Sequence, residues 1–178
     1  RDRMSDAPVS NALIIGQDLI RHFPLPRPSP FAPRRWMKAV DGVSFRVTPG
    51  KSFGVVGESG SGKSTLARLV MALDKPDRGT VETVGQDPFA LSDLDLRRHR
   101  RNFQMVFQDP FGSLNPRHTV ARIVGEPLDG LAIQVGAAER AEKVAEALGE
   151  VGLPSDAATR YPHEFSGGQR QRIAIARA

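Results

Sequence analysis

Gly57, Gly60 and Gly62 interrupt the chain between two stretches of different periodicity. Before them, Phe53, Val55 and Val56 form a short apolar run that predicts a strand over residues 53–56. After them, Leu66, Leu69, Val70 and Leu73 recur at i, i+3, i+4 and i+7, which predicts a helix starting near Lys63. Glycines so closely spaced continue neither element, so residues 57–62 must be a tight connection that leaves backbone N–H groups bare at a helix start. The full stretch reads Gly57-Glu58-Ser59-Gly60-Ser61-Gly62-Lys63-Ser64-Thr65 and fits G-x-x-x-x-G-K-[ST] in its required strand-to-helix setting. Glycines let the backbone close around a phosphate with its N–H groups inward, and the positive end of the helix adds to the attraction. Lys63 is placed to reach the β- and γ-phosphates of ATP, and Ser64 to hold Mg²⁺. A plain glycine turn accounts for the flanks but gives no reason for Lys63-Ser64. The loop does not by itself separate one class of nucleoside triphosphatase from another.

The rest of the chain narrows the field. With 178 residues and 39% hydrophobic content it can bury one sizeable core. The absence of cysteine excludes a disulfide framework and a thiolate metal site. Charges break every candidate membrane span, as Glu126 and Asp129 do within residues 120–135, and the start has no apolar signal core. The expectation is a soluble chain whose membrane association is peripheral. A net charge of +5 suits several anionic partners. The densest basic run, Arg97-Arg98-His99-Arg100-Arg101, has no interleaved aromatics to stack bases, which argues for a solvated helix face and against nucleic acid.

Along the chain, Leu13, Ile14, Ile15, Leu19 and Ile20 predict a first strand within residues 11–23. Pro24, Pro26, Pro28, Pro30 and Pro33 then impose an exposed insertion over residues 24–35. Val40, Val43, Phe45 and Val47 with Asp41-Gly42 predict strand pairing, and Thr48-Pro49-Gly50 a turn. Further strands are expected over residues 80–84 and 103–107, with a short basic helix capped by Ser92 and Asp95 between them. The remainder reads as helical: Ala141, Val144, Ala145 and Leu148 share one face, and Glu139 and Lys143 form an i, i+4 pair on another.

A second motif lies at Phe165-Ser166-Gly167-Gly168-Gln169. Ser166 and Gln169 make an S-x-x-Q capping box whose two intervening glycines bare the backbone at a helix start. By spacing alone this is either an ordinary capped helix or a second anion site. Ser166-Gly167-Gly168-Gln169 also resembles the signature sequence of ATP-binding-cassette (ABC) ATPases, with Phe165 where leucine usually stands. The resemblance implies a head-to-tail dimer with a second ABC ATPase subunit, in which Ser166, Gly167, Gly168 and Gln169 act in trans on ATP held by the other subunit's phosphate loop. Val106-Phe107-Gln108-Asp109-Pro110 is similar to the family's Q-loop, which implies that Gln108 touches Mg²⁺ and the attacking water. The family also stacks an aromatic on adenine; Phe23 and Trp36 compete, and Phe23 is preferred because peptide-importer members carry an aromatic followed by proline and an insertion there.

The longer stretch Phe107-Gln108-Asp109-Pro110-Phe111-Gly112-Ser113-Leu114-Asn115-Pro116-Arg117, with Arg160-Tyr161-Pro162-His163-Glu164-Phe165, is similar to dipeptide and oligopeptide importer ATPases. That likeness implies ATP-driven uptake of peptides or related cargo such as nickel. It also implies a position on the cytoplasmic face of the cell membrane, with permease subunits and an extracytoplasmic substrate-binding protein as partners. The expected fold is α/β, a P-loop NTPase (RecA-like) core with N-terminal antiparallel β strands and an α-helical subdomain. The expected division is a nucleotide-binding core over residues 1–107, then Q-loop and helical subdomain over residues 108–178. The family pattern continues past Ala178 to an aspartate, a glutamate and a switch histidine, so the expectation is an incomplete domain that binds nucleotide weakly and does not hydrolyse it. The competing readings are a soluble non-transport ABC ATPase and a shortened module that binds without hydrolysis.

Overall fold

The computed structural model describes residues 12–29, 31–107, 109–131 and 133–178. The chain divides into two compact units, residues 1–92 and residues 93–178; the motif-based division expected at 107/108 lies further along.

In the first unit, β1 (Ile14–Pro24) and β2 (Trp36–Val47) form an antiparallel hairpin, and β3 (Arg78–Thr83) pairs with the other edge of β1 in the order β2-β1-β3. The proline-rich stretch is the hairpin's connection: Pro24 pairs with Trp36, and the Leu25 amide donates to the Arg35 carbonyl at 2.9 Å. Prolines have no amide for a ladder and are confined to such edges and ends. β1 bulges after Gly16, where Asp18 takes φ 45°. Its backbone is held by Ser44, whose Oγ accepts from the Asp18 amide at 2.8 Å and donates to its carboxylate at 3.1 Å. Gly79 of β3 passes this bulge at φ +87°, and any Cβ there would overlap the Gln17 and Asp18 carbonyls. The bulge and the glycine therefore require one another.

Helix α1 (Lys63–Val70) starts at Lys63 as predicted, with Gly62 as its N-cap, but stops before Leu73. The Leu73 amide donates to Arg68 O at 2.9 Å and the Ala72 amide to Leu69 O at 3.1 Å, the two bonds of a Schellman motif with Ala72 at φ 50°. Leu69 is fully buried with Leu19, Val40 and Val81, and Leu66 packs against them. Burying a leucine contributes roughly 1.5–3 kcal/mol, so this contact fixes the helix, and the loop before it, on the sheet.

Two expected strands are not formed. Residues 53–56 and 103–107 have no ladder partner among the described residues, and Val55, Val56, Val106 and Phe107 are exposed. Apolar composition predicts a strand, but a strand exists only where a neighbour takes its N–H and C=O groups.

The second unit is helical: α2 (Asp93–His99), α3 (Pro110–Ser113), α4 (Val120–Val124), α5 (Glu126–Gly130), α6 (Ala137–Glu150) and α7 (Gly167–Arg177). Leu114, Val120, Ile123, Val144, Leu148, Leu153, Phe165 and Ile173 form its core. On α6 the buried stripe is Val144 and Leu148, whereas Ala141 and Ala145, expected on the same face, are exposed. The Glu139–Lys143 pair forms at 3.6 Å. Arg172 of α7 donates to the Val151 and Gly152 carbonyls at 3.2 and 2.9 Å, satisfying acceptors at the end of α6.

Candidate functional site

The connection over residues 57–62 crosses from the segment at 53–56 to α1 through two left-handed glycines, Gly60 at φ +81° and Gly62 at φ +94°. The two differ in their surroundings. A Cβ on Gly60 would meet open space, whereas one on Gly62 would overlap the carbonyl oxygen of Ala39 in β2. Gly62 is thus required twice, by its backbone conformation and by the strand against which it lies. It caps α1 without a side chain, so the amides of the first turn keep their donors for a ligand or water. One internal bond shapes the loop, from the Ser61 amide to Glu58 O at 3.2 Å.

The Lys63 ammonium folds back over the loop, donating to Gly57 O at 2.8 Å and Glu58 O at 2.6 Å. The only cationic side chain of residues 57–65 therefore lies over the loop's own backbone, with its remaining donor free of those bonds. Ser64 is exposed and Thr65 half-buried in the first turn of α1. Bare amides at a helix start, an ammonium above them and a hydroxyl beside them suit a polyphosphate with a divalent cation.

In the other unit, Ser166 stands at φ −64°, ψ 164° as the N-cap of α7. Its Oγ accepts from the Gln169 amide at 3.3 Å, and the Ser166 amide donates to Gln169 Oε1 at 2.9 Å, forming the capping box expected from the sequence. Gly167 and Gly168 are exposed, with nothing within 4 Å of an added Cβ. Phe165, in the position where leucine was expected, is 4% exposed in the core with the Arg160 guanidinium 4.3 Å from its ring centroid. It anchors the chain entering the glycines.

Gln108 lies outside the described residues. The two aromatics considered for adenine are neighbours on the hairpin: Phe23 pairs with Met37, and Trp36 with Pro24. Adjacent positions of a strand point to opposite faces, so the two rings belong to different faces of the ribbon. Trp36 is 52% exposed, while Phe23 is half-buried with the Arg21 guanidinium 4.8 Å from its centroid.

Sequence reasoning missed the ion pairs that brace each unit. Asp77 accepts from Arg21 at 2.8 Å and from the His22 amide at 2.7 Å. The His22 amide, with the Arg21 guanidinium second, holds the Asp77 carboxyl below its ordinary range despite opposing desolvation. Arg140 grips Asp129 with two bonds of 2.7 and 3.0 Å, lowering the Asp129 carboxyl and raising the guanidinium. No local pattern marks such pairs, because their members lie far apart in sequence.

A glycine loop capping a helix that rests on a sheet, with its lysine over the loop, defines a P-loop nucleotide-binding domain of the α/β class. The family described as ABC transporter matches residues 40–178, and the chain belongs to it. It is 55% identical over 143 residues to the oligopeptide transport ATP-binding protein AppF of Bacillus subtilis (strain 168), a match covering 80% of this chain and 43% of that protein. It is 45% identical over 172 residues to the dipeptide transport ATP-binding protein DppF of Escherichia coli (strain K12), covering 97% of this chain and 51% of that protein. The chain thus spans about half the length of the curated relatives it matches. Among solved structures, a dimeric ATP-binding cassette in a post-hydrolysis state bound to ADP and Pi has a TM-score of 0.77 at 29% identity, covering 92% of this chain and 68% of that one.

Proposed function

We propose that this chain supplies the ATP-binding part of an ABC importer that couples ATP binding and hydrolysis to the uptake of peptides. The observation that carries the reading is the loop itself, with Gly62 pressed against Ala39 and Lys63 above Gly57 and Glu58, in a chain about half identical to peptide transport ATP-binding proteins. On this reading the amides of residues 57–65 receive the ATP phosphates. Lys63 exchanges its two carbonyl partners for β- and γ-phosphate oxygens, and the Ser64 hydroxyl ligates Mg²⁺. Gln108 contacts the metal and positions the water. Phe23 stacks on adenine.

Ser166 and the amides of Gly167 and Gly168 face the γ-phosphate of ATP held by a second ABC ATPase subunit, with Gln169 fixing Ser166 through the capping box. The solved dimeric cassette, similar in fold, supports such pairing. The partners are permease subunits and, through them, an extracytoplasmic substrate-binding protein, with the chain on the cytoplasmic face of the membrane. None of its described helices is long and apolar enough to cross a membrane, and on this reading the permease subunits hold it at the membrane.

The test is uptake of labelled dipeptides and oligopeptides, with nickel as a comparison cargo, by cells lacking the protein and supplied with either wild type or Lys63→Ala. A charge-assisted hydrogen bond contributes roughly 1.5–3 kcal/mol, so the variant is expected to lose at least about tenfold in ATP affinity and to abolish peptide uptake. Undiminished peptide uptake in the variant, or uptake of nickel alone, would refute the proposal.

A further inference from the structure

The Arg21 guanidinium has two neighbours, one two residues along its own strand and the other 56 residues away. Its Nη1 donates to Asp77 Oδ1 at 2.8 Å, and its Cζ lies 4.8 Å from the centroid of the Phe23 ring. The Arg21 Nε is buried and meets no acceptor among the described residues, which leaves the π face of Phe23 as the guanidinium's remaining electrostatic partner. Asp77 is itself fixed from two sides. Its Oδ2 accepts from the His22 amide at 2.7 Å, and its own amide donates to Ile20 O at 2.8 Å, so the carboxylate is tied into the edge of β1 on either side of Arg21. Arg21 is therefore not a free surface cation.

We propose that Arg21, braced by Asp77, is a positioning residue for the nucleobase: it covers one face of Phe23, fixes the ring's orientation and leaves the opposite face as the platform on which adenine stacks. The inference rests on the reading of Phe23 as the adenine contact. A guanidinium against one face of a ring removes that face from competition and restricts the ring's rotation, so less side-chain freedom is lost when a base arrives. Arg21 touches the base only through Phe23. Its removal should weaken recognition of the base and leave recognition of the phosphates alone.

That separation supplies the experiment. Binding of ATP and of inorganic tripolyphosphate, each with Mg²⁺, is measured for wild type, Arg21→Ala, Arg21→Lys, Asp77→Asn, Phe23→Ala and Trp36→Ala. Tripolyphosphate presents the phosphates without the base. Arg21→Ala is expected to weaken ATP binding by roughly two- to fivefold, the scale of a partly exposed cation–π contact, with tripolyphosphate binding unchanged. Arg21→Lys recovers part of the loss, and Asp77→Asn loses an intermediate amount. Phe23→Ala loses more than Arg21→Ala, again for ATP alone.

If Phe23→Ala weakens ATP selectively but Arg21→Ala does not, the positioning role is wrong and the adenine reading stands. If Trp36→Ala carries the selective loss and Phe23→Ala does not, the adenine reading is wrong and the inference falls with it. Equal loss of both ligands in Arg21→Ala identifies a brace of the fold and likewise overturns the proposal.

Discussion

Replacing Gly62 by alanine tests the account of the phosphate loop most directly. Two independent penalties meet at this position. The backbone stands at φ +94°, where a side chain costs roughly 1–2 kcal/mol. The new Cβ would overlap the carbonyl oxygen of Ala39, a backbone atom of β2 that no rotamer change can move. Overpacking of that kind costs typically about 1–3 kcal/mol, so the sum is roughly 2–5 kcal/mol. The chain can meet this cost by unfolding or by moving the loop off the strand, and moving the loop turns the first-turn amides away from the phosphates. Gly60→Ala is the internal control: its φ is +81° but its surroundings are open, so only the conformational penalty applies. Fluorescent ATP-analogue titration and thermal unfolding, run on both variants, should show Gly62→Ala losing at least about thirtyfold in affinity or several degrees in Tm, and Gly60→Ala clearly less. Equal behaviour of the two variants, or wild-type binding by Gly62→Ala, would show that the contact with Ala39 does not govern the loop.

The capping serine separates structure from function through two substitutions. Ser166→Ala loses the bond to the Gln169 amide and should destabilise the second unit by about 1 kcal/mol in denaturant titration, the usual cost of an N-cap. Ser166→Asp keeps a capping acceptor and should hold stability within a few tenths of a kcal/mol, yet its carboxylate would repel a phosphate and abolish ATP-dependent pairing in light scattering; unimpaired pairing would remove Ser166 from the ATP site. Asp129 is the pH probe. The Arg140 side-chain hydrogen bonds lower its folded pKa, so the pair's contribution is present above the ordinary carboxylate range and is lost as pH falls through the lowered value. The stability difference between wild type and Asp129→Asn should therefore hold steady above about pH 4 and shrink below it, and a difference that persists in acid would show that charge is not what the pair contributes.

What the sequence showed and what it hid follow from the range of the forces involved. Helix α1, the capping box at Ser166 and the Glu139–Lys143 pair rest on residues within one or two turns, so periodicity and spacing expose them. The strands β1 and β2 were legible from their apolar residues, but not their pairing across the proline stretch, with Asp41 and Gly42 inside β2, nor the bulge at Asp18, which depends on a serine 26 residues away. Residues 53–56 and 103–107 look like strands because their side chains suit a sheet, yet pairing is a property of two segments and cannot be read from one. The phosphate loop was legible as chemistry. Its steric lock was not, because Ala39 enters only when β2 folds beside it. The same holds for the Arg21–Asp77 pair, whose members lie 56 residues apart.

Two of the three Lys63 ammonium donors are engaged, by Gly57 O and Glu58 O at 2.8 and 2.6 Å. An anion that draws those two donors away must match what the loop gives up. A ligand that offers the lysine a single oxygen can take its third donor and leave both loop bonds in place. A chain of phosphates, offering oxygens from adjacent groups at once, replaces both. The loop's own carbonyls are thus an internal reference ligand, against which any anion that takes both Lys63 donors is weighed.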